Sequence, residues 1–253
     1  MKNIHIKDIV IGQGKPKICV PIVANDIEEA KAQAADIMTY PVDIVELRAD
    51  FLEKCFDIEY TIEVINSIND IISVPLIYTF RTHKEGGEKE ISIENYISLI
   101  KGVLESGTVD LIDIEMFTGD EIVSELTKYA HKCGVRAIVS NHEFTKTPLK
   151  IDLILRLVKM QTLGADIAKI AVMPKNKNDV LTLLEATAEA HEEYMDIPIV
   201  TMSMGKYGMI SRMTGEVFGS AMTFGCVGKA SAPGQIEANR LSTALDIIHR
   251  QIQ

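Results

Sequence analysis

Eight short apolar runs, most of them separated by stretches of helical spacing, recur along the chain, and this rhythm restricts the fold more than any other feature. The runs are Lys17 to Ala24, Asp43 to Ala49, Pro75 to Arg81 and Leu111 to Met116, then Arg136 to Glu143, Ile167 to Met173, Ile197 to Met204 and Met222 to Val227. Each is of strand length, and the intervening segments have identifiable ends. Asn25-Asp26 is placed to cap a helix over Ile27 to Met38, with Glu28 and Glu29 in its first turn. A helix over Ile91 to Leu104 ends before Gly107. Thr147-Pro148 reads as an N-cap followed by an N1 proline, opening a helix that stops near Gly164. Leu241, Ala244, Leu245 and Ile248 form one stripe of a last helix. Only the connection from Gly205 to Gly219 reads as irregular. About eight strand–helix units in about 250 residues predict a (β/α)8 TIM barrel. The open doubly wound sheet is disfavoured, because VPIVANDIEE has no glycine-rich phosphate turn after the first strand. Before the first unit, Ile4, Ile6, Ile9 and Ile11 alternate with polar residues and lead to Gly12-Gln13-Gly14, which predicts a small N-terminal β-hairpin. No Pro/Gly/Ser-rich linker divides the chain, so residues 1–253 are expected to form one barrel domain.

The composition removes several classes of function. Net charge is -10, which leaves no electrostatic footprint for nucleic acid. No run is long and apolar enough to span a membrane, and MKNIHIKDIVIGQGK lacks a signal-peptide core. The four cysteines, Cys19, Cys55, Cys133 and Cys226, show no metal-ligand spacing and suit a reducing compartment, so a cytoplasmic location is expected. An anionic substrate would meet a repulsive overall field and would need locally placed arginines.

Chemistry in a barrel sits at the C-terminal ends of the strands, and alternation sorts which side chains face inward there. The segment DIAKIAVMP puts Lys169 inside a buried run. Such a lysine either snorkels to a strand end or pairs with a carboxylate, or it is a desolvated amine able to attack a carbonyl. In DIVELRAD, Glu46 and Arg48 share a face, as a structural ion pair or as ligand contacts. Arg81 ends the third run, with Glu85 on the glycine-flanked loop that follows. Asp113 and Glu115 share a face and could do acid/base work or bind a metal, but they suit neutralising inward arginines better, because no histidine-rich set accompanies them. His142 lies near the end of the strand next to that of Lys169, a natural place for a general acid/base. Met202, Met204 and Phe224 read as apolar walls around the lysine. Arg212 is read as a cation on a loop above the barrel. Val227 to Gln235 has the small residues of a closing loop, with Ser231 and Gln235 as polar tips.

These segments together, VELRAD, TFRTHKEGG, SNHEF, AKIAVMP, GKYGMISR and SAPGQ in that order, resemble the type I 3-dehydroquinate dehydratases over essentially the whole chain. The resemblance implies a cofactor- and metal-free hydro-lyase of the shikimate pathway that converts 3-dehydroquinate to 3-dehydroshikimate in aromatic amino-acid biosynthesis. It implies that Lys169 forms an imine with the substrate ketone, that His142 is the general acid/base and that Glu85 interacts with it. Glu46, Arg48 and Arg81 would bind the polar side of the ring and Arg212 its carboxylate, with Ser231 and Gln235 as closing-loop contacts. A homodimer is the family's common assembly. Pro21 departs from members that carry serine there. A class I aldolase also uses a barrel lysine, but it needs a phosphate cradle for which GKYG is the only candidate. A degenerate barrel that only binds a metabolite or partner would have no need of Lys169, His142 and Glu85.

Overall fold

The computed structural model describes residues 3–228 and 230–252. Met1, Lys2 and Gln253, at the ends of the expected domain, and Lys229, in the expected closing loop, lie outside the described residues.

Alternating isoleucines form the hairpin: β1 (Ile4–Ile6) pairs antiparallel with β2 (Ile9–Ile11), and Lys7 turns the corner at φ 47. The barrel units follow in order: β3 (Lys17–Ile22) and α1 (Ile27–Ile37), β4 (Ile44–Arg48) and α2 (Ile58–Asn69), β5 (Leu76–Thr79) and α3 (Ile93–Ser106), β6 (Leu111–Glu115) and α4 (Asp120–Lys132). Then come β7 (Arg136–Glu143) and α5 (Lys150–Thr162), β8 (Ile167–Val172) and α6 (Lys177–Glu189), and β9 (Ile199–Ser203) with α7 (Gly205–Met213) and α8 (Gly215–Phe218). The chain ends with β10 (Met222–Cys226), the two-residue β11 (Ile236–Glu237) and α9 (Ala238–Ile252). Strands β3 to β9 pair in sequence order, all parallel, and β10 returns to pair with β3. The expected barrel is therefore the observed fold.

Its closing seam differs from its other joints. Between β9 and β10 the backbone contact is the Ile199–Ser220 bridge, where Ala221 N–H donates to Ile199 O at 2.8 Å. Hydroxyls take over the work of a ladder: the Thr201 amide donates to Ser220 Oγ and the Ser203 amide to Ser211 Oγ. Unpaired buried amides would otherwise be costly. Strand β11 lies along the other edge of β10 from β3, and Gly205 N–H donates to Pro233 O at 3.0 Å, which ties the 230–235 segment into the seam.

Strand alternation builds two apolar cores. Val45, Leu47, Tyr78, Ile112, Ile114, Ala168 and Ile170 pack outward against the helices. Ile44, Ile77, Leu111, Ile138, Ile167 and Val200 point inward and meet Ile4, Ile6 and Ile11 of the hairpin, which closes one end of the barrel with hydrocarbon. The polar inward residues lie farther along the same strands, toward their C-terminal ends.

Two local expectations are corrected. The stretch after β9 is helical rather than irregular: its glycines serve close approach, since a Cβ on Gly208 would lie 2.1 Å from Ser203 O. Helix α5 is capped at Leu149 rather than Thr147, whose hydroxyl instead donates to Met173 O.

Candidate active site

The lysine that interrupts β8 is 3% exposed. Its Nζ donates to Asp113 Oδ2 at 3.1 Å, lies 3.5 Å from Glu46 Oε1 and sits 4.5 Å from the centre of the Phe224 ring. The apolar wall expected around Lys169 is thus only part of its surroundings, because β4 and β6 bring two carboxylates to the same amine. A charge buried among dipoles and counter-ions is tolerable where an isolated one is not.

A second buried cation shares one of these carboxylates. Arg81 donates to Asp113 Oδ1 and to Glu115 Oε1, each at 2.8 Å, and to Ser140 Oγ at 3.1 Å. Asp113 and Glu115 therefore neutralise an inward arginine, as their shared face suggested. Burial opposes charge on both sides of this pair. Even so, Asp113 and Glu115 hold the Arg81 guanidinium well above its ordinary value, and Arg81 and Lys169 hold the Asp113 carboxyl well below the usual carboxylate range. Glu115 also accepts from the Thr82 amide and hydroxyl and so anchors the start of the 82–87 loop.

Parallel register places Ser140 beside Lys169 and His142 beside Ala171. His142 consequently stands one inward step above the lysine rather than level with it. Its Nδ1 is 3.1 Å from Glu85 Oε2, and the same oxygen accepts the His142 amide at 2.9 Å. Burial, then the Arg81 and Lys169 cations, push the imidazole well below its usual range. Burial and the Glu115 carboxylate push Glu85 up to about 8. Gly86, next in the chain at φ 85, lets the Phe144 ring pack close: a Cβ there would lie 2.3 Å from that ring.

Arg212 is not on a loop. It belongs to the last turn of α7 and is 1% exposed. Its partners are two carbonyls, Phe224 O at 3.3 Å and Pro233 O at 3.4 Å, with Met202 Sδ at 3.5 Å, and its Nε is buried without a partner. Burial lowers its guanidinium to about 10. Among the described residues, no carboxylate pairs with it. Ser231 and Gln235 bond to one another, Ser231 N–H donating to Gln235 Oε1 at 2.7 Å and Gln235 Nε2 to Ser231 Oγ at 3.0 Å.

All the nominated side chains, Glu46, Arg48, Arg81, Glu85, His142, Lys169, Met202, Arg212, Phe224, Ser231 and Gln235, line one cavity of about 590 Å³ including its open mouth. Glu46 and Arg48 share this wall but do not pair. Glu46 accepts from Thr79 Oγ1, and Arg48 makes a two-point bond to Asp50. Sequence reading assigned nothing to Asp50, although it continues the alternation of Glu46 and Arg48. It also missed Asn141 and Arg156, where Arg156 Nη1 donates to Asn141 Oδ1 at 2.7 Å and Asn141 Nδ2 to Glu85 Oε1 at 3.3 Å. Among the described residues there is no cluster of ligands suited to a metal ion and no helix long and apolar enough to cross a membrane.

Fold and site together define a (β/α)8 barrel organised around a buried lysine and an imidazole–carboxylate pair at the C-terminal strand ends. The chain belongs to the type I 3-dehydroquinase family, whose model matches residues 18–252. It is 50% identical over 251 residues to a 3-dehydroquinate dehydratase of Escherichia coli strain 55989, covering 99% of this chain and 100% of that one. It is 47% identical over 252 residues to the 3-dehydroquinate dehydratase of Clostridioides difficile strain 630, covering 99% of each. A crystal structure of a type I 3-dehydroquinate dehydratase from Clostridium difficile, with covalently modified comenic acid, superposes with a TM-score of 0.96 at 47% identity over 99% of each chain.

Proposed function

We propose that the chain dehydrates 3-dehydroquinate to 3-dehydroshikimate through an imine on Lys169, with His142 as general acid/base. It would act in the shikimate pathway of aromatic amino-acid biosynthesis, in the cytoplasm and as a homodimer. One observation carries the reading: a single cavity is lined both by a buried amine and by the buried guanidinium of Arg212, which has no carboxylate partner among the described residues. An amine that adds to a ketone and a cation that receives a carboxylate are what this substrate requires.

Lys169, once it has passed a proton on, attacks the ring ketone, and the carbinolamine loses water to give a protonated imine. That group draws electrons and acidifies the neighbouring C2–H. His142 takes this proton on Nε2, since Nδ1 is engaged by Glu85. The enamine electrons then expel the C1 hydroxyl, which leaves as water with a proton from His142. A second water hydrolyses the imine, releasing product and the amine. Arg212 holds the carboxylate and so orients the ring, Glu46, Arg48 and Arg81 face its hydroxyls, Met202 and Phe224 supply apolar wall, and Ser231 and Gln235 close over it.

Borohydride reduction in the presence of 3-dehydroquinate tests the proposal. Mass spectrometry should find a stable adduct on Lys169, and absorbance should report the conjugated enone product. In His142→Ala the adduct should still form while turnover falls by about 10²–10⁴. No adduct, or an adduct on another lysine, would overturn the mechanism.

A further inference from the structure

We propose that Asp50 is a positioning residue that sets the substrate-facing geometry of Arg48 and ties it to the loop carrying Glu85; this rests on the function proposed above. Asp50 is 0% exposed and lies behind the cavity wall, whereas Arg48 lines it. Asp50 Oδ1 accepts from Arg48 Nε and Oδ2 from Arg48 Nη2, both at 2.8 Å. Two parallel charge-assisted bonds fix the plane of a guanidinium as well as its position. The Phe51 ring, 5.0 Å from Arg48 Cζ, packs against the same group. The protein thus engages Nε and Nη2, and among the described residues Nη1 has no acceptor.

The remaining capacity of Asp50 goes to backbone. Oδ1 accepts the Arg81 amide at 3.4 Å and Oδ2 the Glu88 amide at 3.1 Å. Those amides flank the 82–87 segment, which contains Glu85. One fully buried carboxylate therefore connects a guanidinium on the cavity wall with both ends of the loop that orients His142. A carboxylate used only to neutralise Arg48 would have no need of the two amides. One used only to staple the loop would have no need of the fork.

The test is steady-state kinetics of Asp50→Asn, which keeps the shape but removes one fork acceptor and the charge. KM for 3-dehydroquinate should rise about tenfold or more, with kcat changing less. Because Asp50 acts through Arg48, the effects should not add: Arg48→Ala and the Asp50→Asn/Arg48→Ala double variant should share a KM to within about twofold. An unchanged KM in Asp50→Asn, or multiplicative losses in the double variant, would overturn the inference. If Asp50→Asn does not fold, Arg48→Lys decides. A lysine keeps the charge but cannot form the fork, so its KM should match that of Arg48→Ala, and a wild-type KM would refute the clamp. A wild-type protein that fails to dehydrate 3-dehydroquinate would instead refute the underlying function, which separates the two failures.

Discussion

Lys169 Nζ lies 3.1 Å from Asp113 Oδ2, while the other oxygen of the same carboxylate receives Arg81 Nη2 at 2.8 Å. Asp113 is thus the shared anion between the proposed nucleophile and Arg81. Asp113→Asn should leave two buried cations undercompensated and cost about 3 kcal/mol of stability. Chemical denaturation measures this, and an unchanged midpoint would sink the idea. The variant should also form the reducible imine more slowly, because its amine is no longer held beneath the ketone.

Arg212 presents the opposite situation, a buried cation whose protein partners are two carbonyls and a thioether. A buried charge without a counter-ion carries a desolvation cost that an apolar side chain of similar length does not. Arg212→Met should therefore raise KM about ten- to a hundredfold without lowering Tm. A large loss of Tm with KM unchanged would mean that the guanidinium serves the fold rather than a carboxylate.

Asn141 is 2% exposed, and its amide is oriented from outside the barrel. The donor from Arg156 on α5 occupies Asn141 Oδ1, so Nδ2 must face Glu85. Arg156→Leu frees that amide to rotate and weakens the hold on the Glu85–His142 pair. The expected result is a kcat lowered severalfold with KM near wild type. A change in KM alone would place Arg156 outside this chain of contacts.

Strand alternation makes the inward set readable from the sequence, because a side-chain period of two admits only two faces. Glu46, Arg48, Asp113, Glu115, His142 and Lys169 all project inward on that rule. Partner choice was not readable. Glu46 and Arg48 share a face, yet Arg48 turns back to Asp50 and Glu46 reaches across to Thr79, which depends on cross-strand register and on the short turn over 49–51. The height of His142 above Lys169 depends on register in the same way. Arg212 was misplaced because glycines at 205, 208 and 215 look like helix breakers in sequence. In the structure Gly208 lies against the end of β9, where any side chain would collide. The seam hydroxyls of Ser211 and Ser220 carry no local signal, since their partners are amides of a strand earlier in the chain.

Glu85 faces Glu115, Arg81, Asn141 and the His142 ring, and its proton couples stability to pH. Its carboxyl is raised from an ordinary 4.5 to about 8, first by burial and then by Glu115. The folded protein therefore keeps a proton that the unfolded chain releases across this window. Stability changes with pH in proportion to protons bound by the unfolded state minus those bound by the native state, a negative difference here. The contribution from Glu85 is complete below the lower value and is lost as pH rises through the upper one. Glu85→Gln removes that titration while keeping a neutral group of similar shape. Urea unfolding of both proteins should show wild type losing stability relative to Glu85→Gln between about pH 4.5 and about pH 8. A constant difference across that range would mean that Glu85 is ionised throughout, and His142 would then sit beside a permanent carboxylate.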